Sequence, residues 1–328
     1  MMKIMLTGGT GFIGSYVLRF LLEDKHQVNV LVRNSIKLNI ANHPSLKIFE
    51  GNLNNLNVIN NSLSGCDVVI HLAARVSAAT DNPEEYFSSN FVGTENLLMA
   101  SKQNKVKKFV FTSSLSAHSI IPDSLVSEES LRKPEKYFSK YAETKGKAED
   151  LVINYGNKGL PYIIIYPQRM FGIGPLNDAN GATKALRLYL KNKLPFLIDS
   201  GNQFASWSFV DDVASGIVSA ATKDIFNQRY ILGGENETLA NVYKMADEIC
   251  SKTHLKIKLK RSTALSLISM IVFASKLLGK NPIITKEWLN YVLESQKISS
   301  EKAMRELNYK ITPLNTALKK TVNWLKTL

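Results

Sequence analysis

Apolar and polar positions change rhythm repeatedly along the chain, and each change marks an element. KIMLT (3–7) is a short apolar run that stops at glycine. It is too short for a helix and is bounded by a turn former, which predicts a strand. FIGSYVLRFLLED (12–24) instead repeats its apolar residues every three or four positions, the period of a helix with one buried face. Further strands are predicted at VNVLV (28–32), LKIFEGN (46–52), DVVIHLAA (67–74), KKFVFTSS (107–114) and LPYIIIYP (160–167). Helices are predicted over 82–103 and 136–156. A strand such as DVVIHLAA that is apolar at nearly every position is buried on both faces. Strands of that kind alternating with helices make a parallel sheet with helices on both sides. The expected fold class is α/β, a doubly wound parallel sheet.

After Pro167 the regularity ends. GIGP (172–175) is a turn cluster, and 209–222 reads as a helix that returns to the sheet. Short strands are expected near 229–234 and 255–260, in an otherwise helical tail. The expected organisation is a nucleotide-binding domain over 1–170, with 203–224 returning to it. Residues 171–328 form a smaller, mostly helical lobe over the strand ends.

LTGGTGFIG (6–14) places Gly8, Gly11 and Gly14 in a GxxGxxG spacing between the first strand and the first helix. Glycine allows the tight turn and lets backbone approach a pyrophosphate, and the helix N-terminus offers free N–H groups to the phosphates. In this context the fold is of Rossmann type and the ligand a dinucleotide. The second strand then decides which one. An acidic residue at its end would bind the ribose hydroxyls of NAD and repel a 2′-phosphate. VLVRN (30–34) has Val32 there, followed by Arg33, whose guanidinium suits a phosphate. NADP(H) is therefore expected in preference to NAD(H). Asn52, after the third strand, is placed to reach an adenine edge.

YAETK (141–145) supplies the candidate chemistry. Positions i and i+4 share one helix face, so Tyr141 and Lys145 converge. The cation favours the phenolate, and such a tyrosine can exchange a proton with a carbinol oxygen during hydride transfer. Ser113 or Ser114, at the end of FTSS, is placed to bond the same oxygen. Tyr189 and Lys193 have the same spacing but no such context, and are expected to be ordinary surface residues.

Taken together, TGGTGFIG, the GN-L at 51–53, HLAA (71–74), NFVGTENLL (90–98), FTSS, YAETK and FVDDVA (209–214) resemble the extended short-chain dehydrogenase/reductase superfamily in order and spacing, over essentially the whole chain. YILGGENETL (230–239) and the C-terminal 299–324 resemble the hopanoid-associated sugar epimerase and dihydroflavonol-4-reductase-like branch. The resemblance implies that Ser114 polarises the substrate oxygen, Tyr141 is the acid/base, and Lys145 lowers the phenol pKa and holds the nicotinamide ribose. It implies a pyrophosphate cradle of Gly8, Gly11, Phe12, Ile13 and Gly14. Asn52 and Leu53 would lie by the adenine, Ala73, Ala74 and Asn90 along the cofactor channel, and Pro167 beside the nicotinamide. Three positions depart from the pattern: Asn52 replaces an Asp, Tyr166 an Arg, and Phe209 a His, the last two at the substrate region. Leu115 and Ser116 stand where dehydratases carry Asp-Glu, which argues against 4,6-dehydration. The expected function is oxidoreduction of a ketone or secondary alcohol with NADP(H). The alternatives are a nucleotide-sugar 4-epimerase with tightly held NAD, and a cofactor-binding protein without catalysis.

A net charge of +13 fits an anionic ligand or surface, but no basic-aromatic motif points to nucleic acid. The two cysteines are unpaired in sequence and the five histidines lack ligand spacing, so neither disulfide nor metal is expected, and a reducing cytoplasm fits. The N-terminus shows no signal-peptide pattern. TALSLISMIVFAS (263–275), after KIKLKR (256–261), is too short to span a bilayer, which takes ~20 residues. It is expected to be buried beside the substrate cleft, with peripheral membrane contact the alternative. His118, Phe171 and Arg187 are expected in the substrate pocket. The resemblance also implies a homodimer built on 83–103 and 136–156.

Overall fold

A computed structural model describes residues 1–38, 40, 42–76, 83–119, 124–278 and 286–328. Seven strands form the central sheet: β1 (Lys3–Thr7), β2 (Gln27–Val32), β3 (Leu46–Glu50), β4 (Val68–His71), β5 (Lys108–Thr112), β6 (Tyr162–Pro167) and, much later in the chain, Gln228–Leu232. In space they run Gln228–Leu232, β6, β5, β4, β1, β2, β3, every neighbouring pair parallel. The sheet grows outward from β1 in one direction through β2 and β3, then in the other from β4 onward. That reversal between β1 and β4 opens a crevice at the carboxyl ends of the strands, the position for a dinucleotide.

Side chains alternate between two cores. Ile4 and Leu6 of β1 join one core while Met5 joins the other, and Ile163 and Ile165 of β6 are split from Ile164 in the same way. The first core is closed by α1 (Phe12–Glu23) through Val17, Leu18 and Leu21, and by a later helix, Val210–Thr222, through Val213, Ala214 and Ile217. The second is closed by α2 (Leu56–Leu63), α3 (Gly93–Gln103) and α4 (Lys140–Asn157), through Ile59, Leu97, Leu98, Ala148 and Val152. Burial on both faces accounts for the unbroken apolar strands, and truncating one such residue to alanine costs about 2–5 kcal/mol. Before α3 the chain is π-helical over Phe87–Val92, so the single helix expected over 82–103 changes register within itself; residue 82 lies outside the described residues.

The small lobe holds β7 (Met170–Phe171), α5 (Gly181–Leu190), β8 (Phe204–Phe209) and, after α6 (Val210–Thr222) and β9 (Gln228–Leu232), β10 (Glu235–Thr238) and α7 (Leu239–Cys250). β8 pairs with β7 in parallel and with β10 antiparallel. After α6, β9 adds an edge strand to the central sheet beside β6. α8 (Arg261–Leu277), α9 (Lys286–Leu293), α10 (Glu301–Leu307) and α11 (Leu314–Leu325) complete the chain.

Three expectations fail here for identifiable reasons. Tyr189 is not a surface residue: it is fully buried, stacked on Tyr243 at 3.7 Å, and donates to Asp247 Oδ1 at 2.8 Å. Phe209 does not face substrate, because it packs in the small-lobe core at 6.0 Å from Phe171. Helix α8 is not buried. Ala264, Leu265 and Ile268 pack against Leu289 and Leu293, but Leu267, Met270, Ile271, Phe273 and Leu277 face solvent. The helix is apolar on more faces than the lobe can cover. No helix among the described residues is long and apolar enough to cross a membrane.

Candidate active site

The crevice begins at the loop between β1 and α1. Gly8 has φ +78° and its carbonyl accepts from Gly11 N at 2.9 Å. A Cβ on Gly14 would lie 2.0 Å from that same carbonyl oxygen, and one on Gly8 would lie 2.7 Å from Ala73 N. Only glycine lets the loop close this tightly against both helix and sheet. Gly11 caps α1 with no side-chain bond, and no acidic residue lies in the first turn, so the helix N-terminus with Ile13 stays available to an anion. Phe12 is buried and meets Tyr16 edge-on at 6.2 Å, which anchors the turn. The donor set and the side-chain-free cradle fit a dinucleotide pyrophosphate.

A line of hydrogen bonds ties this loop to α4. Thr94 Oγ1 donates to Asn90 O (2.7 Å), so His71 Nε2 donates to Thr94 Oγ1 (3.0 Å) and His71 Nδ1 accepts from Thr7 Oγ1 (2.7 Å). Burial, with the charge of Lys145, pushes the His71 pKa down to about 3, which keeps the ring neutral for these roles. Asn90 accepts from Arg75 N (2.7 Å) and donates to Arg75 O and Thr144 Oγ1 (both 3.2 Å). Its amide therefore fixes the segment carrying Ala73 and Ala74 to the helix turn that presents Lys145.

Ser114, Tyr141 and Lys145 converge at the end of β5. Ser114 caps a short turn over Leu115–Ala117, its Oγ accepting from Ser116 N (3.2 Å) and lying 2.8 Å from Ser116 Oγ. Its hydroxyl also approaches the Tyr141 phenol and acts to lower the phenol pKa. Ser113 turns the other way, donating to buried Glu149 Oε2 at 2.8 Å. Of the two serines left open by the sequence, only Ser114 shares the phenol's space. Lys145 donates to Thr112 O and lies 4.6 Å from the Phe111 ring centroid.

Burial raises the Tyr141 pKa to about 12, against the lowering influence of Ser114. Burial lowers Lys145 to about 7, with the Glu149 charge opposing. The expected lowering of the phenol by Lys145 does not prevail, because the ammonium is drawn to Thr112 O while the phenol is enclosed. At neutral pH the phenol is a proton donor. Glu149 sits one turn beyond Lys145 and is fully buried. Burial would raise its pKa, but the bonds and charges of His118, Lys133 and Ser113 hold it at about 2.

The remaining expected residues are dispersed. Arg33 is exposed at the end of β2, beside buried Val32; Glu50, opposite Val32 on β3, accepts from Ser35 Oγ at 2.8 Å. Asn52 is exposed and its Oδ1 is engaged by Asn54 N at 2.9 Å, which leaves the amide nitrogen for a ligand. Leu53 packs on Gly93 and its carbonyl accepts from Asn96. Pro167 closes β6 at the carboxyl edge. His118 does not line the pocket: it is buried, 3.2 Å from Glu149 Oε2 and edge-on to Tyr166. Tyr166 is likewise fully buried rather than substrate-facing. Phe171 packs in the small-lobe core, and Arg187 lies on α5. The sequence reading missed Glu149, although its spacing of four after Lys145 places it on the same helix face. It also missed Arg169, two residues past Pro167.

The family model described as NAD dependent epimerase/dehydratase matches residues 4–233. A Synechocystis protein assigned as a dihydroflavonol 4-reductase is 27% identical over 98% of this chain and 94% of its own. A sterol-4-alpha-carboxylate 3-dehydrogenase (decarboxylating) of Candida albicans is 26% identical over 98% of this chain and 97% of its own. The structure of a UDP-glucuronic acid 4-epimerase from Bacillus cereus with NAD superposes with a TM-score of 0.80 at 23% identity, covering 99% of both chains, and shares the fold.

Proposed function

The chain belongs to the NAD-dependent epimerase/dehydratase family of extended short-chain dehydrogenase/reductase enzymes, and from that premise we propose that it interconverts a ketone and a secondary alcohol with exchangeable NADP(H). The observation that carries this is the convergence of Ser114, Tyr141 and Lys145, with Ser113 turned away to Glu149. The nicotinamide cofactor, when bound, supplies or accepts the hydride. Tyr141 Oη gives a proton to the carbonyl oxygen as it becomes an alcohol, and takes it back in the reverse direction. Ser114 Oγ donates to the same oxygen and holds it beside the phenol. Lys145 brings positive charge to the phenolate that forms.

Exchangeable NADP(H) rather than tightly held NAD is supported by Val32 and Arg33. No carboxylate ends β2, and the exposed guanidinium is free to meet a 2′-phosphate. We also propose a homodimer through the α3 and α4 face, where Phe87 is 44% exposed and stacks on Phe91 at 4.8 Å. The test of function is NADPH consumption against a panel of cyclic ketones. One-for-one oxidation in wild type, absent in Tyr141→Phe with cofactor binding retained, is the expected result. Tightly bound NAD with no net consumption would replace this reading with epimerisation.

A further inference from the structure

One cation of the cleft has no part in that chemistry. Arg169 follows β6 and precedes β7, at the carboxyl edge of the sheet where the reacting groups gather. Its guanidinium lies 5.3 Å from the centroid of the Trp207 ring and faces Tyr243 and Tyr291. The residue is half-buried, so part of its surface is open to solvent or a ligand.

Among the described residues no carboxylate lies within ion-pair distance of Arg169, and its guanidinium has no hydrogen-bond acceptor. Three other partly exposed arginines are paired: Arg19 with Asp211, Arg75 with Glu85, Arg261 with Glu294. Removing a guanidinium from water without an anion is costly, and burial accordingly lowers its pKa. The fold keeps a partly desolvated cation here, and among the described residues no anion neutralises it.

Its position ties it to the reacting oxygen. Tyr291 stacks on Phe138 at 4.4 Å, and Phe138 comes three residues before Tyr141. Arg169 and Tyr141 are both near enough to the Tyr291 hydroxyl to act on it electrostatically. The side chains gathered about Arg169, namely Trp207, Tyr243 and Tyr291, with Phe138 stacked on Tyr291, are aromatic.

We propose, resting on the oxidoreductase reading, that Arg169 binds a carboxylate of the substrate, which is an apolar hydroxy or keto acid with its reacting oxygen at Tyr141. A carboxylate fits better than a phosphate. The guanidinium fork matches a carboxylate in a bidentate pair, and among the described residues no second cation acts on Arg169 to meet a dianion. The aromatic side chains receive the carbon skeleton.

Calorimetric titration of the NADPH-loaded protein tests this, with cyclohexanecarboxylate, cyclohexanecarboxamide and cyclohexyl phosphate as probes. The carboxylate should bind at least about tenfold more tightly than the amide, the effect of one charge-assisted pair. Arg169→Met should abolish the difference and leave amide binding unchanged, while Arg169→Lys retains part of it. Tyr141→Phe should keep the full preference, since the pair does not depend on proton transfer. Equal binding of acid and amide by wild type, no measurable acid binding, or a preference that survives in Arg169→Met overturns the proposal. Tighter binding of the phosphate ester overturns the choice of carboxylate. If the preference holds but no substrate acid consumes the cofactor, the oxidoreductase reading fails while the anion site stands.

Discussion

Substituting Gly14→Ala should abolish useful cofactor binding without unfolding the protein. The added Cβ would sit 2.0 Å from Gly8 O, 2.7 Å from Gly8 C and 3.0 Å from Gly9 Cα. All three are backbone atoms, so no side chain can swing aside. Relief requires a shift of roughly 1 Å between loop and helix, a displacement of the size that costs ~10²-fold at a positioned site. The loop cannot retreat toward the sheet, because a Cβ at Gly8 would already lie 2.7 Å from Ala73 N. Helix α1 remains anchored by Val17, Leu18 and Leu21, so the fold persists. Thermal melting reads the outcome. At a concentration of 100 Kd, NADPH stabilises wild type by about 2.7 kcal/mol, whereas a ~100-fold weaker Kd leaves about 0.4 kcal/mol. Gly181→Ala is the control, since nothing lies within 4 Å of its Cβ. If Gly14→Ala keeps the NADPH-induced shift of wild type, the loop is not the pyrophosphate cradle.

Glu149→Gln should move the alkaline limb of the kcat/KM profile for ketone reduction to lower pH. Lys145 is already lowered to about 7 by burial, the Glu149 anion opposes that lowering, and its removal restricts the ammonium to more acid conditions; an unmoved limb would separate Glu149 from Lys145. The same variant should be less stable than wild type above pH 4.5, with the gap closing as pH falls toward 2. The Glu149 carboxyl is depressed from 4.5 to about 2, so its contribution is complete above pH 4.5 and drains as pH falls toward 2. Val32→Asp with Arg33→Ala should turn cofactor preference toward NADH in a fluorescence titration, and an unchanged preference would show that Arg33 does not read the 2′-phosphate. The solvent-facing apolar side of α8, flanked by exposed Lys258 and Lys260, should carry the protein onto anionic phosphatidylglycerol vesicles in co-sedimentation. Ile271→Glu should release it, and equal recovery with neutral vesicles would contradict an electrostatic contribution.

Much of the fold was legible because it depends on local pattern. Strands buried on both faces must be apolar throughout, and the loop after β1 must be glycine where backbone meets backbone. Helix periodicity alone puts Tyr141 and Lys145 on one helix face. What the sequence hides is side-chain direction at the ends of elements. Adjacent Ser113 and Ser114 differ only in which side of the strand end they face, one to Glu149 and one to Tyr141. Tyr189 and Tyr141 share a spacing to lysine, yet one is locked to Asp247 and the other lines the cleft. The pKa of Tyr141 also depends on enclosure, which spacing does not report. For α8, an apolar run signalled burial, but only its Ala264 side finds a partner.

The central claim is an enzyme that exchanges NADP(H), and equilibrium titration of one preparation with NADPH and with NADH tests it most directly. A single charge-assisted contact from exposed Arg33 is worth about 1.4 kcal/mol, which predicts NADPH binding about tenfold more tightly than NADH. Both should be removed by desalting. Equal affinities, or NAD that stays with the protein through desalting and is released only on denaturation, would contradict the account.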